Sequence, residues 1–344
     1  MKVNTEFIKL QFKYPFKTAR LAPREFSESL IVSIQHDNCI GEGEIRPSEY
    51  YFNENFDVAK KVISEIEPIL GDNPFLLEDI LDEIKTKYYY APATLAGIDI
   101  ALHDLVGKLL GIPLYKYFGL NPNKTPISSF TIGIDTIPIM IKKLKEASNY
   151  PIIKVKVGVP EDLDTMKAIR DVSDATIRVD ANTGWTVKEA ITKINQLESF
   201  NIEFIEQPIK PKDFKGLQEI RRNTNIPIMA DEDSVSAKDL PNLVGCVDSI
   251  NIKLMKCGGI REAKKMIDFA HIHGMKVMLG CMLESSLSIA AAAHLSPLVE
   301  YADLDTNVLS VNDPYDGMGN LNGKLILPDG PGLGVSKFNI GDFA

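Results

Sequence analysis

A short apolar run followed by a helical segment recurs from about residue 125 onward. The period of this repeat is about 25 residues, which is typical of β/α units in a parallel sheet. Eight such strands close a barrel of the TIM type. An open, doubly wound sheet is the alternative, but no Gly-rich dinucleotide turn follows the first strand to favour it. The predicted strands begin near Ile127, Ile152, Thr176, Ile202, Ile226, Asp248, Lys276 and Tyr301.

Residues 1–122 lack this repeat and are predicted to form a separate α+β domain, because strands come first and helices follow. The last of these helices ends at Gly111, with Pro113 just beyond it. The tail, about residues 312–344, is rich in Gly and Pro and is expected to pack back on this first domain. The barrel is then residues 123–311. Within the first domain, strands are predicted at 1–11 and 29–36, and helices at 57–67, 74–87 and 91–110.

The composition excludes several classes of function. Of the 344 residues, 44% are hydrophobic and 25% charged, as in a folded globular protein. The net charge of -9 leaves no excess of Lys and Arg to neutralise phosphates, so no nucleic-acid partner is expected. No apolar stretch is long enough to span a bilayer, and no signal peptide is visible, so no membrane association is expected. The four cysteines lack metal-type spacing, and a cytoplasmic location is expected.

Three consecutive predicted strands end in a carboxylate residue: Asp180, Glu206 and Asp231. One such residue is usually a helix cap or a turn former. In a barrel, however, the carboxyl ends of the strands meet at one face, where three carboxylates would repel one another strongly without a cation. A set of three oxygen ligands suits Mg²⁺, and zinc is disfavoured because no His or Cys shares the cluster. The sequence therefore predicts a magnesium site.

Lysines occupy the same strand ends. Lys154 and Lys156 are two apart on the second strand, so their side chains share one face, which is inward unless the strand is an exposed edge. Lys253 ends the sixth strand, across the barrel from Lys156. One lysine on each face of a substrate carbon could remove a proton from one side and return it from the other. The cation and a supporting ammonium would neutralise the enediolate that forms beside a carboxylate. This arrangement predicts racemisation or epimerisation, with the neutral form of each catalytic lysine favoured by the metal.

Five motifs together resemble the enolase superfamily, in its muconate-lactonising-enzyme subgroup. The resemblance covers nearly the whole chain and implies a modified (β/α)7β barrel with an N-terminal α+β capping domain that closes over the site. It implies that Asp180, Glu206 and Asp231 bind Mg²⁺, that Lys156 and Lys253 are the acid/base catalysts, and that Lys154 stabilises the enediolate. The motifs are Lys154-Val-Lys156, Asp180-Ala-Asn182, Glu206-Gln-Pro208, Asp231-Glu232 and Asn251-Ile-Lys253-Leu-Met-Lys256-Cys-Gly-Gly259.

The residues at the end of the eighth strand indicate which reaction of this subgroup the chain catalyses. Asp303 and Asp305 resemble the Asp-x-Asp signature of dipeptide epimerases, where the carboxylates hold the α-ammonium group of the substrate; a pair of turn formers is the alternative. The resemblance implies a Mg²⁺-dependent epimerase that inverts the second residue of a dipeptide, of the L-Ala-D/L-Glu type derived from cell-wall peptide. The alternatives are an o-succinylbenzoate synthase, a cycloisomerase or an N-acylamino-acid racemase of the same subgroup, or a barrel that binds metal and ligand without turnover.

The remaining expected contacts come from loops. Residues 18–24 resemble the mobile loop that covers the substrate in this family, and Arg24, helped by Arg20, could meet a glutamate side chain with two parallel hydrogen bonds. A solvated arginine is the alternative. Barrels of this family commonly associate, so a homo-oligomer is expected. The residues expected to line the pocket at the ends of the first and seventh strands are Thr131, Cys281, Met282 and Glu284.

Overall fold

The computed structural model describes residues 1–338. Its first part is an antiparallel sheet with the order β1-β2-β3. The bounds of the third strand were not predicted from the sequence. This strand forms because Asp37, with φ 51°, turns the chain so that Cys39 pairs with His36. Six helices, α1 to α6, follow. The strands are Lys2–Phe16, Arg24–His36 and Cys39–Ile45; the helices are Glu49–Phe52, Phe56–Glu65, Glu67–Leu70, Leu77–Tyr88, Pro92–Leu110 and Leu114–Tyr117.

Helix α5 is buried along most of its length, and glycines of β3 let the two elements approach closely. A Cβ at Gly43 would lie only 2.0 Å from the carbonyl oxygen of Gly97 in α5. A Cβ at Gly41 would lie 2.1 Å from the carbonyl oxygen of Ala101, one turn further along the helix. Glycine is required at both positions for this contact. The Gly-rich stretch of β3 thus has a packing role.

Eight parallel strands, β4 to β11, form one sheet whose order follows the chain. The sheet closes between its first and last strands: Ser128 bridges Ala302, and the N–H of Ser129 donates to the carbonyl oxygen of Ala302 at 3.2 Å. The prediction of a TIM-type barrel is confirmed, and the open sheet is excluded. The strands are Phe130–Ile132, Ile152–Lys156, Thr176–Asp180, Ile202–Glu206, Ile228–Ala230, Ser249–Lys253, Lys276–Gly280 and Tyr301–Asp303.

Helices alternate with these strands around the outside of the barrel, except in the fifth unit. There, the segment after β8 contains only a 3-10 turn, Leu240–Asn242, which has Pro241 at its start. Elsewhere the helices follow local signals; α9, for example, begins with a capping box between Thr186 and Glu189. The helices α7 to α14 are Ile137–Glu146, Asp162–Arg170, Val187–Leu197, Phe214–Asn223, Leu254–Cys257, Ile260–Ile272, Ser286–Leu295 and Thr306–Leu309.

The barrel interior is layered, and its two ends differ in chemistry. Near the amino end, Arg178 of β6 is almost fully buried, with its guanidinium 5.4 Å from the ring centre of Phe204 and 5.3 Å from that of Tyr301. Its Nη1 donates to the carbonyl oxygen of Ala302 at 2.6 Å. Two residues further along β6, Asp180 occupies the carboxyl end. The interior is thus filled by packed side chains near the amino end, and the ionisable groups lie at the carboxyl end.

The C-terminal tail runs back across the N-terminal region. The N–H of Gly332 donates to the carbonyl oxygen of Ile112 at 2.9 Å, and the N–H of Leu333 donates to Asp104 of α5 at 2.8 Å. Residues 339–344 of the predicted tail lie outside the described residues, and the limits 1–122 and 123–311 stay a prediction. No helix within residues 1–338 is long and apolar enough to cross a membrane. The tail strands β12 to β15 are Tyr315–Asp316, Gly319–Leu321, Lys324–Ile326 and Ser336–Lys337.

Candidate active site

Strand register brings the predicted rim residues side by side. Lys156 of β5 pairs with Asp180 of β6, and Asp180 pairs with Glu206 of β7. On the other side of the barrel, Lys253 of β9 pairs with Gly280 of β10. All of these residues end their strands, so their side chains meet at the carboxyl end of the barrel.

Lys154 lies at the centre of the rim and is almost fully buried. Its ammonium donates to Asp303 at 2.7 Å and forms ion pairs with Glu206 at 2.6 Å and Asp180 at 3.2 Å. Burial alone would lower the pKa of Lys154, but the three carboxylates outweigh it and hold the pKa well above its ordinary value. Lys154 is therefore a fixed positive charge that links the carboxylates of three strands.

The two lysines predicted as acid/base groups each contact a different carboxylate. The Lys156 ammonium lies 2.5 Å from Asp180, and the Lys253 ammonium lies 2.8 Å from Asp231. Burial would lower the pKa of Lys253, but Asp231 outweighs it and holds the pKa well above its ordinary value. The Asp231 carboxylate thus stabilises the ammonium form of Lys253, and the expected effect of a bound metal on this equilibrium stays a prediction.

The strand-end carboxylates Asp180, Glu206 and Asp231 have no exposed surface. Burial, with the like charge of Asp180, raises the pKa of Glu206 to about 7. Within residues 1–338, no three His, Cys, Asp or Glu side chains are already spaced to hold a metal ion; lysine ammonium groups contact the carboxylate oxygens instead. The donors are nevertheless all oxygen, and buried Oδ1 atoms of Asn182 and Asn251 lack hydrogen-bond partners. The residues fit Mg²⁺ in charge and in ligand type.

Asp303 and Asp305 both lie at the rim, with different partners. Asp303 accepts hydrogen bonds from Lys154 at 2.7 Å and from the hydroxyl of Ser129 at 2.6 Å, so both of its oxygens are engaged. Asp305 accepts one from the N–H of Thr131 at 2.6 Å through Oδ2. Burial, together with Asp303, raises the pKa of Asp305 to about 7. Asp305 is therefore less fully hydrogen-bonded than Asp303.

A cavity of about 460 Å³ lies between the rim and the N-terminal region. It contains Lys154, Lys156, Lys253, Asp303 and Asp305 on its barrel side. The predicted lining residues are placed there with one exception, which is Glu284. Its carboxylate is buried and accepts hydrogen bonds from the N–H of Met282 and the hydroxyl of Ser288 instead. The three that line the cavity are Thr131, Cys281 and Met282.

The two arginines of the covering loop are in different situations. Arg20 pairs with Glu232 of the barrel at 2.6 Å, and its guanidinium stacks on Tyr50 at 4.1 Å from the ring centre. Arg20 is thus occupied in holding the loop on the rim. Arg24 is exposed, lines the cavity and has no ion-pair partner among residues 1–338. Both arginines line the cavity, but within residues 1–338 Arg20 has an ion-pair partner and Arg24 has none.

Several residues of the site were not predicted as such. Lys256 donates to Oδ1 of Asp231, and the amide of Asn251 donates to Glu206 at 2.9 Å, so both orient carboxylates of the site. The sequence places Lys256 and Asn251 in the same motif as Lys253, and that adjacency was the available signal. Tyr51 and Arg46 also line the cavity, but they follow β3, where no strand-end rule for barrels applies.

Two family models match this chain. The model for the mandelate racemase / muconate lactonizing enzyme N-terminal domain matches residues 3–119, and that for the enolase C-terminal domain-like family matches residues 140–337. Together they cover the sheet-and-helix region and most of the barrel. The second model alone spans more than half of the chain.

Relatives of known function show the same family. An L-Ala-D/L-Glu epimerase from Bacteroides thetaiotaomicron is 40% identical, over 98% of this chain and 88% of the relative. A structure of a dipeptide epimerase from Enterococcus faecalis, complexed with Mg and the dipeptide L-Leu-L-Tyr, is 36% identical with a TM-score of 0.91, and 97% of this chain and 99% of that chain are covered. A substrate-liganded L-Ala-D/L-Glu epimerase from Bacillus subtilis is 31% identical with a TM-score of 0.92, covering 97% and 98%. The chain therefore belongs to the enolase superfamily, in its mandelate racemase / muconate lactonizing enzyme family, and is an enzyme of the isomerase class.

Proposed function

We propose that this enzyme is a Mg²⁺-dependent dipeptide epimerase that inverts the α-carbon of the second residue, with L-Ala-D/L-Glu as its substrate type. The observation that carries the proposal is the position of Lys156 and Lys253. They end β5 and β9, the second and sixth strands of the closed barrel, and both line the same cavity. A substrate carbon in this cavity would have one amine on each face, as inversion through proton removal and return requires.

The carboxylates around the lysines support this chemistry. Asp180, Glu206 and Asp231 would hold the Mg²⁺, whose charge would offset the negative charge that develops on the substrate carboxylate in an enediolate. Lys154, a buried ammonium close to Asp180 and Glu206, adds a second fixed positive charge. Lys256, which bonds to Asp231, keeps that carboxylate oriented. Lys156 and Lys253 each exchange a single proton with the α-carbon, in opposite order for the two directions of the reaction.

The acidic pair at the eighth strand supports a substrate with a free amino group. Asp305 lines the cavity, and within residues 1–338 its carboxylate accepts hydrogen bonds from Thr131 alone. A buried carboxylate of this kind matches an α-ammonium group, because it would otherwise carry an uncompensated charge. Asp303 is held by Lys154 and so fixes the end of β11, two residues before Asp305. An acylated or lactone substrate would leave this charge unpaired.

The acidic second residue is supported by Arg24, which lines the cavity as a charge without a partner carboxylate. Relatives of this chain include L-Ala-D/L-Glu epimerases and an epimerase solved with L-Leu-L-Tyr, so relatives differ in the side chain they act on. An arginine pairs best with a carboxylate, which favours glutamate over an apolar side chain.

Exchange of the α-proton tests this function directly. The purified enzyme with Mg²⁺ in D₂O would be incubated with L-Ala-L-Glu, L-Ala-L-Gln and L-Leu-L-Tyr, and deuterium and configuration followed by NMR and mass spectrometry. Exchange with inversion at the second residue is the expected result. Conversion of the o-succinylbenzoate synthase substrate in a parallel assay, without any dipeptide exchange, would support the lyase alternative instead. Absence of both, with metal demonstrably bound, would leave the cycloisomerase, the N-acylamino-acid racemase and the binding barrel.

A further inference from the structure

A second arginine lines the cavity on the N-terminal side. Arg46 directly follows β3 and is partly buried in the cavity wall. It lies close to Arg24: burial and then the charge of Arg24 lower the pKa of Arg46. Two cations therefore face one side of a cavity whose barrel side is already filled with paired lysines and carboxylates.

Arg46 is held in place by neutral groups only. Its Nε donates to the hydroxyl of Ser27 at 2.8 Å, and its Nη1 donates to the carbonyl oxygen of Pro47 at 2.7 Å. Ser27 in turn donates to the carbonyl oxygen of Leu283, in the loop after β10, at 2.8 Å. The guanidinium is thus anchored to both the N-terminal sheet and the barrel, while Nη2 has no hydrogen-bond partner among residues 1–338.

Three carboxylates raise the pKa of Arg46 by their charge: Glu28 is exposed on β2, and Glu44 and Glu284 are hydrogen-bonded elsewhere. Glu44 accepts hydrogen bonds from the N–H and hydroxyl of Ser285, at 2.9 and 2.6 Å. Glu284 accepts from the N–H of Met282 at 2.7 Å. Glu54, which also lines the cavity, caps the first turn of α5. Within residues 1–338, Arg46 forms no ion pair although it is partly buried.

We propose that Arg46 is the residue that selects an acidic second residue, by receiving the side-chain carboxylate of the dipeptide in the cavity. This inference rests on the proposed function and deepens it. Arg46 is anchored at two points before the substrate arrives, so little conformational entropy is lost when it binds a carboxylate. Arg24 is exposed and without anchoring contacts, so its contribution is the smaller of the two.

The test compares L-Ala-L-Glu with its uncharged isostere L-Ala-L-Gln, in both binding and turnover. Binding would be measured by calorimetry in the presence of Mg²⁺, and kcat/KM by α-proton exchange. In Arg46→Met, the preference for Glu over Gln should fall by roughly 10- to 100-fold in both measurements. Arg46→Lys keeps the positive charge but not the planar guanidinium that can donate two parallel hydrogen bonds. This variant should therefore retain part of the preference for Glu over Gln. Arg24→Met should reduce the preference less than Arg46→Met does.

Arg222→Met provides the matched control, since Arg222 is exposed on α10 and away from the cavity. The inference is overturned if Arg46→Met leaves the Glu/Gln ratio intact, or if both dipeptides lose affinity equally, because the residue would then have only a structural role. Ser27→Ala, which removes the Nε anchor without touching the guanidinium, covers the case in which Arg46→Met fails to fold and should lower the ratio severalfold. If the wild type binds L-Ala-L-Glu selectively through Arg46 but exchanges no dipeptide, the inference stands and the proposed function fails.

Discussion

The carboxylate of Glu44 accepts hydrogen bonds from both the N–H and the hydroxyl of Ser285, a residue 241 positions later. Glu44 lies on β3 of the N-terminal sheet, and Ser285 is the residue before α13 of the barrel. The contact therefore ties the N-terminal region to the start of a barrel helix, where a negative charge is favourable. Asp99 of α5 makes the same kind of contact with the N–H of Ile260 at the start of α12, at 2.7 Å. Two carboxylates of the N-terminal region thus cap neighbouring barrel helices.

The burial of Glu44 makes stability depend on pH, and the hydrogen bonds from Ser285 only partly offset it. Burial, with the charge of Glu284, raises the pKa of Glu44 from 4.5 to about 7. Because the folded protein binds this proton more tightly than the unfolded chain, the resulting stabilisation is complete below about pH 4.5 and is lost as pH rises to about 7. Relative to Glu44→Gln, the free energy of unfolding of the wild type should fall across this window, by an amount on the order of a few kcal/mol.

Urea unfolding of both proteins between pH 4.5 and 8 measures this difference. Groups common to both proteins cancel, so only the slope of the difference matters. Glu219→Gln, on the exposed face of α10, is the matched control and should show no such slope. Parallel curves for the wild type and Glu44→Gln would contradict the role assigned to the Glu44 carboxylate.

Much of the barrel could be predicted because each strand has a recognisable local sequence pattern. The strands at Ile152, Thr176, Ile202, Lys276 and Tyr301 begin where predicted, since each is an apolar β-rich run between turn residues. The rim residues followed from the rule that catalytic groups lie at strand ends. The segment after β8 forms no α-helix, because it contains Pro241 and lacks an amphipathic pattern. The regular spacing of the strands gave no indication of this local difference.

The contacts between distant segments were not predictable in this way. Arg20 lines the cavity as expected, but its ion pair with Glu232, more than two hundred residues away in the chain, was not predicted. Glu284 was expected to line the pocket, but its carboxylate is buried and accepts a hydrogen bond from the N–H of Met282 within its own loop. These contacts depend on how the N-terminal region packs on the barrel. The spacing of apolar residues within one segment gives no information about that packing. The homo-oligomer and the cytoplasmic location stay predictions.

Replacement of either catalytic lysine should stop epimerisation. Lys156→Ala and Lys253→Ala each remove the amine from one face of the substrate, and loss of a general acid/base group lowers rates by roughly 10² to 10⁴-fold. Inversion measured by polarimetry should be lost in both variants. Circular dichroism and calorimetric Mg²⁺ binding should remain close to the wild type, because neither lysine is among the proposed ligands. Normal turnover in either variant would mean that the two-base mechanism is wrong.

Removal of Mg²⁺ should abolish turnover and lower stability together. Burial, with the like charge of Asp180, raises the pKa of Glu206 to about 7, so a cation beside this carboxylate would be favourable. A cation bound there stabilises the folded state by mass action, by about 2.7 kcal/mol at a hundredfold excess over its Kd. The melting temperature should therefore rise with Mg²⁺ in the wild type and much less in Glu206→Gln. Full activity after treatment with a chelator, with the metal verified as absent, would refute the metal dependence.

Asp305→Asn should weaken the recognition of a free amino group and change its pH dependence. Asp305 is replaced here because a change at Asp303 would also remove the ion pair with Lys154. The preference for L-Ala-L-Glu over its N-acetyl derivative should fall by roughly 10-fold or more, as expected for loss of one charged hydrogen bond. Because the pKa of Asp305 is raised to about 7, the wild-type preference should increase as pH rises through 7, and this increase should be missing in Asp305→Asn. Asp268→Asn, at an exposed position of α12, is the control. An equal loss for both substrates at every pH would show that Asp305 supports the strand end and does not bind the ammonium.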